Sequence, residues 1–247
     1  MTTPRYVTID PIADGIACLV IGCEPREQGL TLEIFRELEA VVAGLTSSEW
    51  KAVIITGKGT EVFVPGLDFA ELAPLGPLEA RRFAQRGQQV FGQLETLGIP
   101  VIAAVNGVAL GAGCELALAC TVRVASTTAR FGHPEVIQGK FPAFGATHRL
   151  TRLVGRGRAV ELLLTGETIP APEAYRIGLV NRVHEPARLL TAAKVLAQRL
   201  TRGSVKNVRY CLEALSHGEE MSRQDGLSLE ANLFGLCFLP DTPSDGD

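Results

Sequence analysis

The sequence has no C-x-x-C pair, no excess of basic residues and no apolar run long enough to cross a bilayer. Each absence removes a class of protein. Cys18, Cys23, Cys114, Cys120, Cys211 and Cys237 sit mostly among apolar neighbours, so they read as reduced thiols in a reducing compartment. His133, His148, His184 and His217 are too dispersed for zinc-site spacing, and no metal is expected. A net charge of -3 offers no field that would draw a nucleic-acid backbone or an anionic membrane. The first ten residues lack the apolar stretch of a secretory signal, which points to the cytoplasm. Neither G-x-G-x-x-G, G-x-x-x-x-G-K-[ST] nor G-x-S-x-G occurs, so the usual nucleotide fingerprints and the serine-hydrolase elbow are excluded.

What is present is a chain of 247 residues, 46% hydrophobic, which can bury a sizeable core without disulfide or metal. Residues 6–10 and 16–21 read as a hairpin turning at Asp14-Gly15. Thr31 can cap a helix whose apolar positions run from Leu32 to Leu45. Residues 51–56 and 122–125 read as buried strands, 100–105 as a fully apolar one, and 77–97 as a long helix. Continuous apolar strands between helices predict an α/β layout with strands covered on both faces. A loop is expected at 107–113 and a short apolar helix at 114–120. Past about residue 185 the strands stop, and 189–236 reads as three helices broken near 202–203 and 217–218. The polar tail from Pro240 is expected to fray. Residues 1–188 are thus expected to be the core, and 189–247 a C-terminal helical region.

The most informative segment is NGVALGAGCE, residues 106–115, where a buried strand runs through a glycine-rich turn into a helix. Glycines let backbone approach a ligand, and the first helical N–H groups have no intrahelical partner. Such a turn can hold a phosphate or a developing oxyanion, or can simply be a tight strand-to-helix connection. A second turn, VPGLD (64–68), offers the Leu67 N–H to the same oxygen, or is no more than a turn with Asp68 as a helix cap.

Glu115 is a lone acid in a run of Cys, Leu and Ala. Burial there would raise its pKa toward that of a working general acid or base, though a first-turn glutamate also suits the helix dipole. Glu135 lies in FGHPEV (131–136) and on its own reads as a solvated loop acid. As a pair, two carboxylates beside shaped turns can give and take protons on one substrate. His133 and His148 read as loop or packing residues.

The stretch IPVIAAVNGVALGAGCELALACTVRVAS (99–126) closely resembles the crotonase (enoyl-CoA hydratase/isomerase) superfamily. So do ARFGHPEV (129–136), RLTRLVGRGRAVELLLTGETI (149–169) and AYRIGLVNRV (174–183), in the family's order. The resemblance implies a spiral of ββα units with C-terminal helices that serve trimerisation and cover the acyl-CoA pocket. It implies homotrimers or hexamers, an acyl-CoA substrate, a place in fatty acid metabolism, and no cofactor beyond the CoA carried by the substrate. It maps the oxyanion donors to the N–H groups of Leu67 and Ala112, and the acid/base pair to Glu115 and Glu135. Gly66, Asp68, Gly111, Pro142, Ala143 and Phe144 are implied to line the substrate, with Arg26 and Leu30 toward CoA. Retention of both glutamates favours reversible hydration of an enoyl-CoA. Isomerisation, decarboxylation or C–C hydrolysis on the same scaffold is the alternative, and a non-catalytic or RNA-binding member a further one. The loop GKFPAFGATH (139–148) departs from the family pattern, with Lys140, Ala143, Phe144 and His148 unusual there.

Overall fold

The computed structural model describes residues 6–22, 29–218 and 220–239. Cys23, Arg26 and the tail from Pro240 lie outside the described residues. The chain opens with strands β1 (Val7–Ala13) and β2 (Ile16–Ile21) and helix α1 (Leu32–Leu45). Strands β3 (Ala52–Gly57) and β4 (Val62–Val64) lead to helices α2 (Phe69–Leu72) and α3 (Pro77–Glu95). Strands β5 (Val101–Val105) and β6 (Val108–Leu110) lead to α4 (Ala112–Leu118). Strands β7 (Val122–Ser126) and β8 (Arg130–Gly132) lead, through a 3-10 turn at Val136–Gln138, to α5 (Ala146–Val154) and α6 (Arg156–Thr165). After β9 (Ile169–Pro170), α7 (Ala171–Arg176) and β10 (Arg182–His184) come α8 (Leu189–Leu200), α9 (Val205–Gly218) and α10 (Arg223–Leu236). Among the described residues, no helix is long and apolar enough to cross a membrane.

Two sheets result. The larger has the order β1-β2-β3-β5-β7-β10, parallel except for β1, and the smaller the order β4-β6-β8-β9, parallel except for β9. From β3 onward a long strand joins the first sheet, a short strand the second, and a helix follows, which is the ββα spiral. The hairpin at Asp14-Gly15 forms with both residues at positive φ (37° and 78°), the geometry a two-residue turn asks for. Thr31 caps α1 by accepting from the Ile34 N–H at 3.2 Å.

The strands of the large sheet are apolar throughout because both faces are covered. Val53, Ile55, Val101, Ala103 and Val105 face the main core with α1, α3 and α4. The alternate residues Ala52, Ile54, Ile102 and Ala104 meet Leu189, Ala193, Leu196 and Ala197 of α8. Strand pattern and packing therefore end at different places. The strands stop before residue 189, but α8 is part of the sandwich around the large sheet.

Between β5 and β6 stands Asn106, a buried side chain that holds the β3–β4 connection. Its Nδ2 donates to the carbonyls of Gly57 (3.1 Å), Gly59 (2.9 Å) and Val62 (3.0 Å), and its Oδ1 accepts from the Gly57 N–H (3.0 Å). These are buried polar groups that would be costly to leave unpaired, at about 1–3 kcal/mol each. Asn106 thereby locks the β3–β4 connection to the strand that leads into the glycine-rich turn.

Candidate active site

Two glycine-shaped turns meet at the edge of the small sheet. Gly111 precedes α4 at φ +49°, and a Cβ built on it would come 3.3 Å from Gly66 Cα and 2.8 Å from Glu135 Oε1. Only glycine allows the two turns and the carboxylate to approach this closely. Two residues later, a Cβ on Gly113 would collide with the Val64 carbonyl, so α4 lies directly against the strand that carries the VPGLD turn.

The two N–H groups singled out from the sequence follow those glycines. Leu67 forms a parallel bridge with Leu30, in which the Leu30 N–H donates to Gly66 O (2.7 Å) and the Asp68 N–H donates to Leu30 O (3.2 Å). In a parallel bridge the flanking residues make the bonds, so the Leu67 N–H is turned away from Leu30. Ala112 is the first residue of α4, where no intrahelical carbonyl can accept its N–H. With only seven residues in α4, the helix dipole contributes little, and the N–H itself is the useful group. Asp68 accepts from the Ala70 N–H at 2.9 Å as the cap of α2. Leu30, expected toward CoA, has its side chain in the core at 2% exposure.

Glu115 and Glu135 are both enclosed, at 1% and 4% exposure. Glu115 Oε1 accepts from the N–H groups of Phe144 (2.8 Å) and Ala146 (2.9 Å), and Oε2 has no hydrogen-bond partner among the described residues. Burial pushes the Glu115 carboxyl above its ordinary value. The Ala146 N–H, the His133 ring and the Phe144 N–H pull the other way, and the Glu135 charge adds a smaller upward push. Glu135 sits at the end of the loop after β8, with Oε1 against Gly111 and Oε2 without a partner among the described residues. The structure therefore brings Glu115, Glu135, Gly66 and Gly111 to one place.

The backbone that holds Glu115 is itself pinned. Arg149 donates from Nη1 to the Phe144 carbonyl (2.6 Å) and pairs through Nε and Nη2 with Glu95 of α3 (2.8 and 2.6 Å). The Phe144 ring packs with Phe35, Phe83 and Phe91, at centroid distances of 5.5, 5.5 and 5.2 Å. Pro142 is buried beside it, and the Ala143 carbonyl accepts from Gln88 Nε2 at 2.9 Å. Lys140 and His148 turn outward. Lys140 Nζ stands 5.6 Å from the Phe69 ring centre, and His148 contacts Arg152. His148 lines a separate cavity of about 460 Å³ with Glu95, Cys120, Arg152 and His217, and neither carboxylate of the pair reaches it.

Three residues of consequence were not singled out from the sequence: Asn106, Arg149 and His133. His133 read as a loop or packing residue, and its ring is 1% exposed with Nδ1 3.7 Å from Glu135 Oε1. A histidine two residues from a candidate acid, across a proline, was the available signal.

Fold and site define a class, a ββα-spiral protein with an enclosed carboxylate pair beside two glycine turns. The chain matches the enoyl-CoA hydratase/isomerase family over residues 15–242. It is 41% identical over 231 residues to a short-chain-enoyl-CoA hydratase of Clostridium acetobutylicum, covering 93% of this chain and 88% of that one. It is 45% identical over 232 residues to a crotonyl-CoA hydratase of Syntrophomonas wolfei, covering 94% and 89%. The crystal structure of an enoyl-CoA hydratase from Bacillus anthracis superposes with a TM-score of 0.87 at 32% identity, covering 94% of this chain and 90% of that chain. The chain belongs to the enoyl-CoA hydratase/isomerase family.

Proposed function

We propose that the protein is an enoyl-CoA hydratase that adds water reversibly across the 2,3 double bond of a short-chain enoyl-CoA thioester. The carrying observation is the enclosed pair, Glu115 and Glu135, each with one carboxylate oxygen unpartnered among the described residues. In this reading the N–H groups of Leu67 and Ala112 hold the thioester oxygen and stabilise the enolate as charge develops on it. Glu115, with Oε1 fixed by two N–H groups, takes a proton from water through Oε2 as the oxygen bonds to the β-carbon. Glu135 gives its proton to the α-carbon. The cycle leaves Glu115 protonated and Glu135 ionised, and resets when the first loses a proton and the second gains one. Water addition is redox-neutral, and no cofactor beyond the substrate's own CoA enters these steps.

The buried Phe144 ring, closed in by three other phenylalanines and borne by the residue whose N–H holds Glu115, supports a short acyl chain. The experiment is loss of the conjugated enoyl-thioester absorbance, compared for crotonyl-CoA and a ten-carbon enoyl-CoA. Crotonyl-CoA is expected to turn over with kcat/KM at least about tenfold higher, a difference of about 1.4 kcal/mol in the transition state. Equal turnover of both esters removes the short-chain reading. Saturable binding without loss of absorbance removes hydration in favour of another acyl-CoA reaction.

The assembly we propose is a homotrimer, alone or paired into a hexamer, built through the C-terminal helices. Support comes from Leu227, Phe234, Leu236, Phe238 and Leu239, all exposed on or just after α10, an apolar load unusual for a free surface. Sedimentation equilibrium is expected to return three or six times the chain mass, and a monomer at micromolar concentration would end this reading. Free thiols at Cys18, Cys114, Cys120, Cys211 and Cys237 support a reducing compartment, and we place the enzyme in the cytoplasm.

A further inference from the structure

His133 takes no part in the steps above, yet it is an enclosed titratable neighbour of the pair. Its ring is 1% exposed, and neither Nδ1 nor Nε2 has a hydrogen-bond partner among the described residues. Nδ1 lies 3.7 Å from Glu135 Oε1. The titratable groups that face the ring are Cys114 and Glu115 from α4 and Glu135 from its own loop. A neutral imidazole here would leave its N–H desolvated and unbonded, which is costly. A carboxylate at Glu135 without a counter-charge would be costlier still.

We propose that His133 and Glu135 bind one proton between them at neutral pH, so that His133 is a positioning residue that keeps the acid for the α-carbon charged with a proton. Two arrangements hold that proton, a resting imidazolium beside a carboxylate and the imidazole beside a carboxylic acid from which the α-carbon is protonated, and they differ only in which atom carries it. A lone glutamate near its ordinary pKa of about 4.3 would be almost fully ionised at pH 7 and would have no proton to give. Burial pushes the His133 ring toward neutrality. The Cys114 sulfur and the Glu135 carboxylate outweigh that and hold it above its ordinary value. A group held in this way keeps its proton through neutrality and releases it only as the pH rises further, so the hydration direction fails on the alkaline side. His133 does not touch the reacting atoms in this scheme.

The inference rests on the hydratase reading for its kinetic consequence, but its first test does not. In protein labelled with ¹⁵N-histidine, with the His133 signal assigned by its absence in His133→Gln, the ring nitrogens are followed from pH 5 to 10. His133 is expected to titrate above the ordinary histidine value of about 6.5, and to fall below it in Glu135→Gln. A wild-type ring already neutral at pH 7, or a titration that Glu135→Gln leaves in place, overturns the proposal even if hydration is fast. The second test is the pH profile of crotonyl-CoA hydration in His133→Gln. Its alkaline limb is expected to move down by about one pH unit or more, with kcat at pH 8.5 lower by about tenfold and KM within about twofold. A uniform loss at every pH, with the limb unmoved, would assign His133 to packing and overturn the proposal.

Discussion

Glu115→Gln is expected to slow crotonyl-CoA hydration by about 10²- to 10⁴-fold, the usual worth of a positioned general acid or base, while raising the melting temperature. The opposite signs share one cause. An amide oxygen can still accept from the Phe144 and Ala146 N–H groups, so the loop at 142–146 stays pinned. What the substitution removes is a charge that burial penalises and that the Glu135 carboxylate penalises further. The Glu115 carboxyl is held above its ordinary value of 4.5, so its ionised form opposes folding at every pH above that value. The gain in stability is therefore expected to be larger at pH 7 than at pH 5 and to shrink as pH falls toward 4.5, where folded and unfolded wild type both carry a protonated Glu115. Glu135→Gln is expected to lose comparable activity without any such gain, because it takes away the carboxylate nearest the buried His133 ring. Thermal melts of both variants at pH 5 and 7, set beside their kcat, test the contrast. A Glu115→Gln protein that melts lower than wild type at pH 7 would show that the carboxylate's charge stabilises the fold.

The sequence made the long elements legible and the short ones invisible, for a physical reason. A strand announces itself through alternation, and β4, β6, β8 and β9 have only three, three, three and two residues in which to alternate. The whole second sheet was thus missed residue by residue, and it entered only through the family resemblance. Residues 107–113 read as a loop, yet they contain β6 and the start of α4, with the helix beginning at Ala112, not Cys114. The three C-terminal helices were read nearly to their ends because each runs for three turns or more. At the site, Glu115 and the glycines stood out as the wrong residues for their surroundings, an acid in an apolar run and clustered glycines after a strand, whereas Glu135 on its own read as a solvated loop acid and is in fact 4% exposed. Asn106, Arg149 and His133 have ordinary local surroundings. Their importance comes from partners far along the chain or across a turn, Gly57 and Val62 for the first, Glu95 for the second, Glu135 for the third, and spacing cannot show those. The loop at 139–148 was expected near the acyl pocket as a block. The structure divides it, with Pro142 and Phe144 inward and Lys140 and His148 outward.

Gly87→Ala is expected to destabilise the protein, although an alanine in the middle of a helix ordinarily stabilises by up to about 1 kcal/mol relative to glycine. Gly87 lies on the buried face of α3, and a Cβ there would fall inside the Phe144 ring. The ring has nowhere to retreat. Phe35 and Phe83 flank it, Phe91 meets it edge-on at 80°, and its own backbone is held by Glu115 on one side and Arg149 on the other. Overpacking of this kind costs about 1–3 kcal/mol, and a contact this close belongs at the upper end. The net loss is about 2 kcal/mol, or roughly 4–8 °C in melting temperature for a chain of this length. Activity is expected to fall more than stability, because a displaced Phe144 carries with it the N–H that fixes Glu115. Phe144→Leu alone leaves a cavity and costs about 1–3 kcal/mol, below the cost of truncating the ring to alanine. The double variant is the informative one. Leucine vacates the space that the new methyl needs, so Gly87→Ala with Phe144→Leu is expected to be more stable than the sum of the single losses by about 1–2 kcal/mol. Additive losses across that cycle, or a stabilising Gly87→Ala, would mean that Phe144 does not pack against α3 at Gly87. The short acyl chain would then lose its structural support, since the closely packed Phe144 ring is what argues for it.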